Sequence, residues 1–220
     1  MAPKPGSRAV GIAAADGPDY SQLCGAVVRA DRVAEDFVFA RCTTGGSDAT
    51  AACVDLLDRL DRPDARWLLV AGVAPAWFNL IDLSDLHVAA DRPVIAVSFE
   101  DSDGLEAPLR EQFSGEALQQ RLATYRELPP RDPVVLGDTE LWIRTVGIDT
   151  ADATDVLRAF VPDDGDRPEP LRVAQRAARA GRQQAERFGW ATTTDEATAG
   201  DATDDDATDD AATADEPTDS

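Results

Sequence analysis

Small and apolar residues fill positions 8–15 and stop at Asp16-Gly17-Pro18, which predicts a strand closed by a turn. Leu23 to Ala30 predicts a second strand. After the short Asp31-Arg32 connection, Val33 to Thr43 predicts a third, so the chain opens as an antiparallel meander. Phe37 and Phe39 fall on one face of that third strand, and Val38, Ala40 and Cys42 on the other. Apolar groups on both faces predict a strand covered on both sides. The period then changes. Gly45-Gly46-Ser47-Asp48 precedes a stripe of Cys53, Leu56, Leu57 and Leu60, the spacing of a helix with Ser47 or Asp48 as its N-cap.

Arg66 to Gly72 is apolar after its first residue, as a buried parallel strand would be. A helix over Asn79 to Ala90, a buried strand over Pro93 to Phe99 and helical material from Leu105 to Arg126 follow. Val134 to Ile143 predicts a hairpin turning at Gly137-Asp138. Ala151 to Phe160 and Glu169 to Phe188 predict two closing helices, the second with Pro168 and Pro170 around its first turn. Three antiparallel strands, a helix, then strand, helix, strand is the order of a ribonuclease H-like mixed α/β sheet flanked by helices, expected here as one domain over residues 7–190.

Residues 191–220 change this picture, because they hold eleven acids, no base and no large apolar side chain. Such a segment buries too little to offset its ordering entropy, and is expected to be a disordered acidic tail. It carries −11 of the formal net charge of −21, leaving −10 on the rest. Lys4 is the one lysine among 21 basic residues. Abundant acids with almost no lysine suit a cytoplasm at molar salt, where the Debye length falls to about 3 Å. A halophilic origin is expected on that ground, and a nucleic-acid partner is not excluded by net charge. Cys24, Cys42 and Cys53 lie in apolar stretches without metal-type spacing, and His87 is the single histidine. Reduced core thiols and a soluble cytoplasmic protein are expected, with no membrane span; the pattern predicts no oligomeric state.

Four stretches carry a resemblance. They are Gly11-Ile12 with Asp16-Gly17-Pro18; Gly45-Gly46-Ser47-Asp48-Ala49-Thr50; Val70-Ala71-Gly72-Val73-Ala74-Pro75-Ala76-Trp77-Phe78-Asn79-Leu80-Ile81-Asp82; and Pro168-Glu169-Pro170-Leu171-Arg172-Val173-Ala174. In this order and spacing they resemble the archaeal endonuclease dU family, relatives of endonuclease V. The resemblance implies a ribonuclease H-like fold and cleavage of DNA or RNA at modified or deaminated bases, dependent on Mg²⁺ or Mn²⁺. That chemistry needs carboxylates converging at strand ends to hold the metal and orient water. The resemblance also implies an Asp after Gly11-Ile12 and another before Gly72, where this chain has Ala13 and Ala71.

The acids left near that edge are the substitutes. Asp16, Asp48 and Asp82 are the catalytic candidates, and Asp16, Asp48 and Glu100 the metal candidates. Each has an ordinary role beside the functional one: Asp16 in a turn, Asp48 as a cap, Glu100 in a solvated loop. Trp77 and Asn79 are candidates to face a flipped base, or else to pack inward and cap a helix. Arg172, Arg176 and Arg179 recur at helical spacing on the one basic segment, and are candidates to contact phosphate or to pair with nearby acids. Three readings stand: a metal-dependent nuclease, a non-catalytic module of the same fold that binds nucleic acid or protein, or an enzyme acting on a different small substrate.

Overall fold

Strand periodicity at the start of the chain and helix periodicity after Gly46 resolve into one mixed sheet covered on both faces. The structure, a computed structural model, describes residues 3–162 and 165–189; the expected acidic tail lies outside the described residues. The elements are β1 (Arg8–Ala15), β2 (Tyr20–Arg29), β3 (Ala34–Thr43), α1 (Ala49–Leu60), β4 (Ala65–Ala71), α2 (Pro75–Phe78), α3 (Leu83–Ala90), β5 (Val94–Ser98), α4 (Glu106–Gln112), α5 (Gly115–Glu127), β6 (Asp132–Leu136), β7 (Thr139–Val146), α6 (Thr150–Phe160) and α7 (Glu169–Arg187). The seven strands are ordered β3-β2-β1-β4-β5-β7-β6. β1, β4 and β5 run parallel, and the flanking pairs are antiparallel. This is the mixed α/β sheet the sequence predicts.

Alternation along β1 assigns its side chains to two cores. Val10 and Ile12 pack with Leu56 and Leu60 of α1, and with Leu83 and Leu86 of α3. On the other face Ala9 joins Leu69, Ile95, Val97 and Ile143 under Leu157 and Phe160 of α6 and Leu171 of α7. The three cysteines are free and buried, and burial pushes each thiol up to about 12. They are therefore unreactive at neutral pH.

Three expectations need correction. β3 is a sheet edge. Its Val38, Ala40 and Cys42 face packs into the core, but Phe37 and Phe39 on the opposite face remain 44% and 40% exposed. The single helix expected from Asn79 begins at Leu83 instead. Before it, Ala76, Trp77 and Phe78 take φ of 52°, 52° and 62°, so α2 is one left-handed turn. Non-glycine residues adopt that region at a cost and hold it only where surrounding contacts require it. Helical material after Leu105 is broken between α4 and α5 at Phe113-Ser114.

An ion-pair cluster closes the end of the sheet away from these loops. Arg8 donates to both Glu35 oxygens at 2.6 and 2.9 Å, and Arg62 donates to Glu35 at 2.7 Å. The Arg8 bonds, then those from Arg62, hold the Glu35 carboxyl down at about 2. A depressed folded-state value means the contribution is present above the ordinary range near 4.5 and is lost as pH falls through about 2. Glu35→Gln should therefore lower Tm at neutral pH and flatten the acid side of the Tm–pH curve. The two proteins should converge near the bottom of that window; parallel curves would show that the cluster does not contribute.

Candidate functional site

The carboxyl ends of β1, β4 and β5 form the edge where ligands bind in sheets of this kind. Ala13, on β1, is 2% exposed and packs against Ala174 and Val173 of α7. Ala71 ends β4 on the same face and touches the same cluster. Gln175 fastens the helix there by donating to the Ala14 carbonyl at 2.7 Å. The two positions where the family likeness implies metal-binding aspartates are thus methyl groups beneath a helix.

The remaining acids lie elsewhere, and hydrogen bonds occupy most of them. Asp16 stands exposed past the end of β1. Its Oδ1 accepts from Ser21 Oγ at 2.8 Å and from the Ala76 N–H at 3.1 Å, so it holds the left-handed turn against the meander. Asp48 accepts from the Thr43 N–H at 3.0 and 3.1 Å, from Thr43 Oγ1 at 2.8 Å and from Asn79 Nδ2 at 2.6 Å. Burial raises its pKa, but these donors outweigh burial and leave it below the usual carboxylate value. Asp82 caps α3, accepting from Ser84 N and Asp85 N at 2.8 and 3.0 Å. Glu100 is exposed beyond β5.

Asp16 and Asp48 both lie close enough to Cys42 to raise its thiol, whereas Asp82 and Glu100 belong to separate grooves. Among the described residues no group of three His, Cys, Asp or Glu side chains is placed to hold a metal ion. The donor set does not fit Mg²⁺ or Mn²⁺, which require several converging oxygens.

Asn79, a candidate to face a base, is 0% exposed. Its Oδ1 accepts from the Ala49 N–H at 2.9 Å and its Nδ2 donates to the Thr43 carbonyl at 2.8 Å as well as to Asp48. It caps α1 from outside, while Asp48, which occupies the N-cap position, makes no side-chain cap bond. Trp77 is 50% exposed. Its ring lies against Gly45, where an added Cβ would sit 2.8 Å from Cε3, and its centroid is 5.2 Å from that of Phe113. The ring is therefore held by these contacts while half of the residue stays exposed.

Arg121 locks this corner. It is 8% exposed. It donates to the carbonyls of Gly45, Gly46, Phe78 and Ala117 and stacks over Phe113 at 4.0 Å. Sequence reasoning missed it; the available signal was one arginine at an inward position of a helix. Along α7 the predicted stripe is exposed. Arg172 pairs with Glu169, while among the described residues Arg176 and Arg179 form no ion pair.

Residues 5–181 match the family described as endonuclease dU. A UPF0215 protein of Pyrobaculum aerophilum is 32% identical over 172 residues, covering 77% of this chain and 90% of the relative. Among solved structures, a protein of unknown function from Archaeoglobus fulgidus superposes with a TM-score of 0.70 at 23% identity, over 79% of this chain and 97% of that one. Endonuclease V of Ciona intestinalis, solved in complex with a 24mer DNA containing an inosine, superposes with a TM-score of 0.53 at 12% identity, over 81% and 86% of the two chains. The latter two likenesses show the fold alone, an endonuclease V-like sheet. The match across the sheet and both closing helices, joined to the relatives' sequence identity, establishes that the chain belongs to the endonuclease dU family.

Proposed function

We propose that this chain is a non-catalytic nucleic-acid-binding member of its family, which takes a strand across α7 and Trp77 without cleaving it. The single observation that carries the reading is α7 itself. Its apolar side covers Ala13 and Ala71, and its outer side presents Arg176 and Arg179, which pair with no acid among the described residues. Exposed arginines without a carboxylate among the described residues are suited to bidentate contact with phosphate. Trp77, half exposed and steadied by Phe113 and Gly45, offers a stacking surface of the kind single-stranded binders use. The fold neighbour from Ciona intestinalis was solved with DNA, which makes inosine-containing DNA the first ligand to try.

Binding to a labelled single-stranded oligonucleotide, followed across KCl concentration, tests the binding half. Arg176→Ala with Arg179→Ala should weaken affinity about tenfold or more and reduce the salt slope by about 2. An unchanged slope would remove α7 from the interface. Calorimetric titration with Mn²⁺, and incubation with deoxyinosine- and deoxyuridine-containing duplex, test the other half. No stoichiometric metal uptake and no cleavage are expected. Metal-dependent cleavage abolished by Asp16→Ala would replace this reading with the nuclease one.

A further inference from the structure

Between the carboxyl ends of β4 and β5 lies a small pocket that neither the aspartates nor α7 accounts for. It measures about 230 Å³ and is lined by Gly72, Ala74, Ser98, Tyr125, Arg131 and Arg144 among others, with Glu100 its single acidic lining residue. That volume is below the roughly 300 Å³ at which sites for drug-sized ligands begin. A group of a few heavy atoms fits within it.

Many arginines of this chain are spent on carboxylates, and these two are not. Arg8, Arg59, Arg62, Arg126, Arg158, Arg172 and Arg182 all meet a carboxylate within 3 Å. Arg144 meets none among the described residues, and Arg131 approaches only Asp101, at 3.9 Å. Both are held by neutral acceptors instead. Arg131 donates to Ser98 Oγ at 3.3 Å, to the Ser102 carbonyl at 3.0 Å and to the Glu100 carbonyl, and its guanidinium lies 4.7 Å over the Trp142 ring. Arg144 donates to the Pro129 carbonyl and to Tyr125 Oη at 3.4 Å.

A guanidinium has five N–H donors. These bonds leave about two on Arg131 and about three on Arg144 for a ligand. Tyr125 Oη also accepts from the Leu105 N–H at 3.1 Å, so its own proton is free to donate. Burial, chiefly, and the neighbouring Arg131 keep Arg144 below its usual pKa; an anion placed between the two would relieve both costs.

We propose that this pocket binds the phosphate group of a phosphomonoester, gripped by Arg131 and Arg144 and hydrogen-bonded by Tyr125. Two guanidiniums lining one pocket, each held by backbone carbonyls and one of them over a ring, make a preorganised oxyanion cradle. The inference does not rest on strand binding across α7, because the pocket is complete without that helix's arginines.

Inorganic phosphate is the probe, titrated into the full chain at constant ionic strength set by KCl, with heat and Trp fluorescence as readouts. Saturable binding in the millimolar range is expected. Arg131→Gln and Arg144→Gln should each weaken it about tenfold or more, and Arg131→Lys by less, since charge remains but the fork is lost. Glu100→Gln should tighten it severalfold, a gain that a merely structural role for the cluster would not give. Arg131→Gln and Glu100→Gln carry the test if Arg144→Gln fails to fold. No saturable uptake by the unmodified chain, or equal affinity in Arg131→Gln, overturns the proposal.

Short oligonucleotides with a 5′-phosphate or a 5′-hydroxyl separate the sources. If only the phosphorylated one competes with inorganic phosphate, the pocket holds a strand end. If neither competes but a nucleoside monophosphate does, the source is a small phosphomonoester.

Discussion

Gly11→Ala is expected to lower Tm by about 6–12 °C, the shift that roughly 3 kcal/mol produces in a protein of this size. A Cβ at position 11 would lie 2.2 Å from the Pro170 carbonyl oxygen, 2.3 Å from its carbon and 2.8 Å from the Pro170 Cβ. Two of those three atoms are backbone, so no rotamer change can clear them. The strand must shift, or the start of α7 must lift from the sheet. Inserting a methyl into a tight core costs about 1–3 kcal/mol, and more where backbone has to move. Lifting α7 would also loosen the cover over Ala13 and Ala71. Gly6→Ala is the control, since nothing lies within 4 Å of a Cβ built there. Thermal melts followed by circular dichroism decide the matter: a Gly11→Ala midpoint within about 2 °C of the unmodified protein would mean that this interface yields cheaply.

Gly11 also shows what the sequence made legible. Its stretch and the Pro168-Glu169-Pro170 stretch were read as separate motifs, and the fold brings them into contact. The order of strands and helices could be read because each segment keeps one period long enough to identify it. The β3 edge could not. Phe37 and Phe39 alternate with Val38 and Ala40 as in a doubly covered strand, and only the sheet order reveals that little covers the aromatic face.

The left-handed turn was equally hidden, because Ala76, Trp77 and Phe78 lack the glycine or asparagine that normally marks positive φ. Its causes are long-range. The Asp16 carboxylate accepts the Ala76 N–H, the Ala76 carbonyl accepts the Gly45 N–H at 2.7 Å, and Arg121 takes the Phe78 carbonyl. At the candidate site the sequence singled out Asp16, Asp48, Asn79 and Asp82, polar groups beside strand and helix ends. Residue type does not say where a side chain points, and much of their hydrogen-bonding capacity serves the chain's own backbone. Arg131 and Arg144 come together through the β6–β7 hairpin, whose register sets Asp132 opposite Ile143. What the sequence does not reveal is the pocket they face, because its other wall needs β5 beside β7, a pairing that local periodicity does not encode.

Asn79→Asp changes one amide nitrogen to oxygen and is expected to cost about 4 kcal/mol at neutral pH, or about 8–16 °C in Tm. The side chain is fully buried. One carboxylate oxygen still accepts the Ala49 N–H as Oδ1 does now. The other would face two acceptors, the Thr43 carbonyl at 2.8 Å and the Asp48 carboxylate at 2.6 Å, where Nδ2 now donates. A buried carboxylate facing a second one takes up a proton, so the pair's higher pKa rises above the unfolded value. The penalty is therefore full above that raised value. It shrinks as pH falls through it, because a protonated carboxyl donates to one of the two acceptors that the amide served. Asn79→Ala is the comparison. It leaves the buried Ala49 N–H unsatisfied at any pH and takes one donor from Asp48 and from the Thr43 carbonyl, which keeps the Gly46 N–H at 3.0 Å, and should cost about 2–3 kcal/mol with no such recovery. Melts from about pH 8 down to about pH 5 should bring Asn79→Asp toward the unmodified protein while Asn79→Ala keeps its distance. If both substitutions track the unmodified protein in parallel, the Asn79–Asp48 contact does not hold this corner of the fold together.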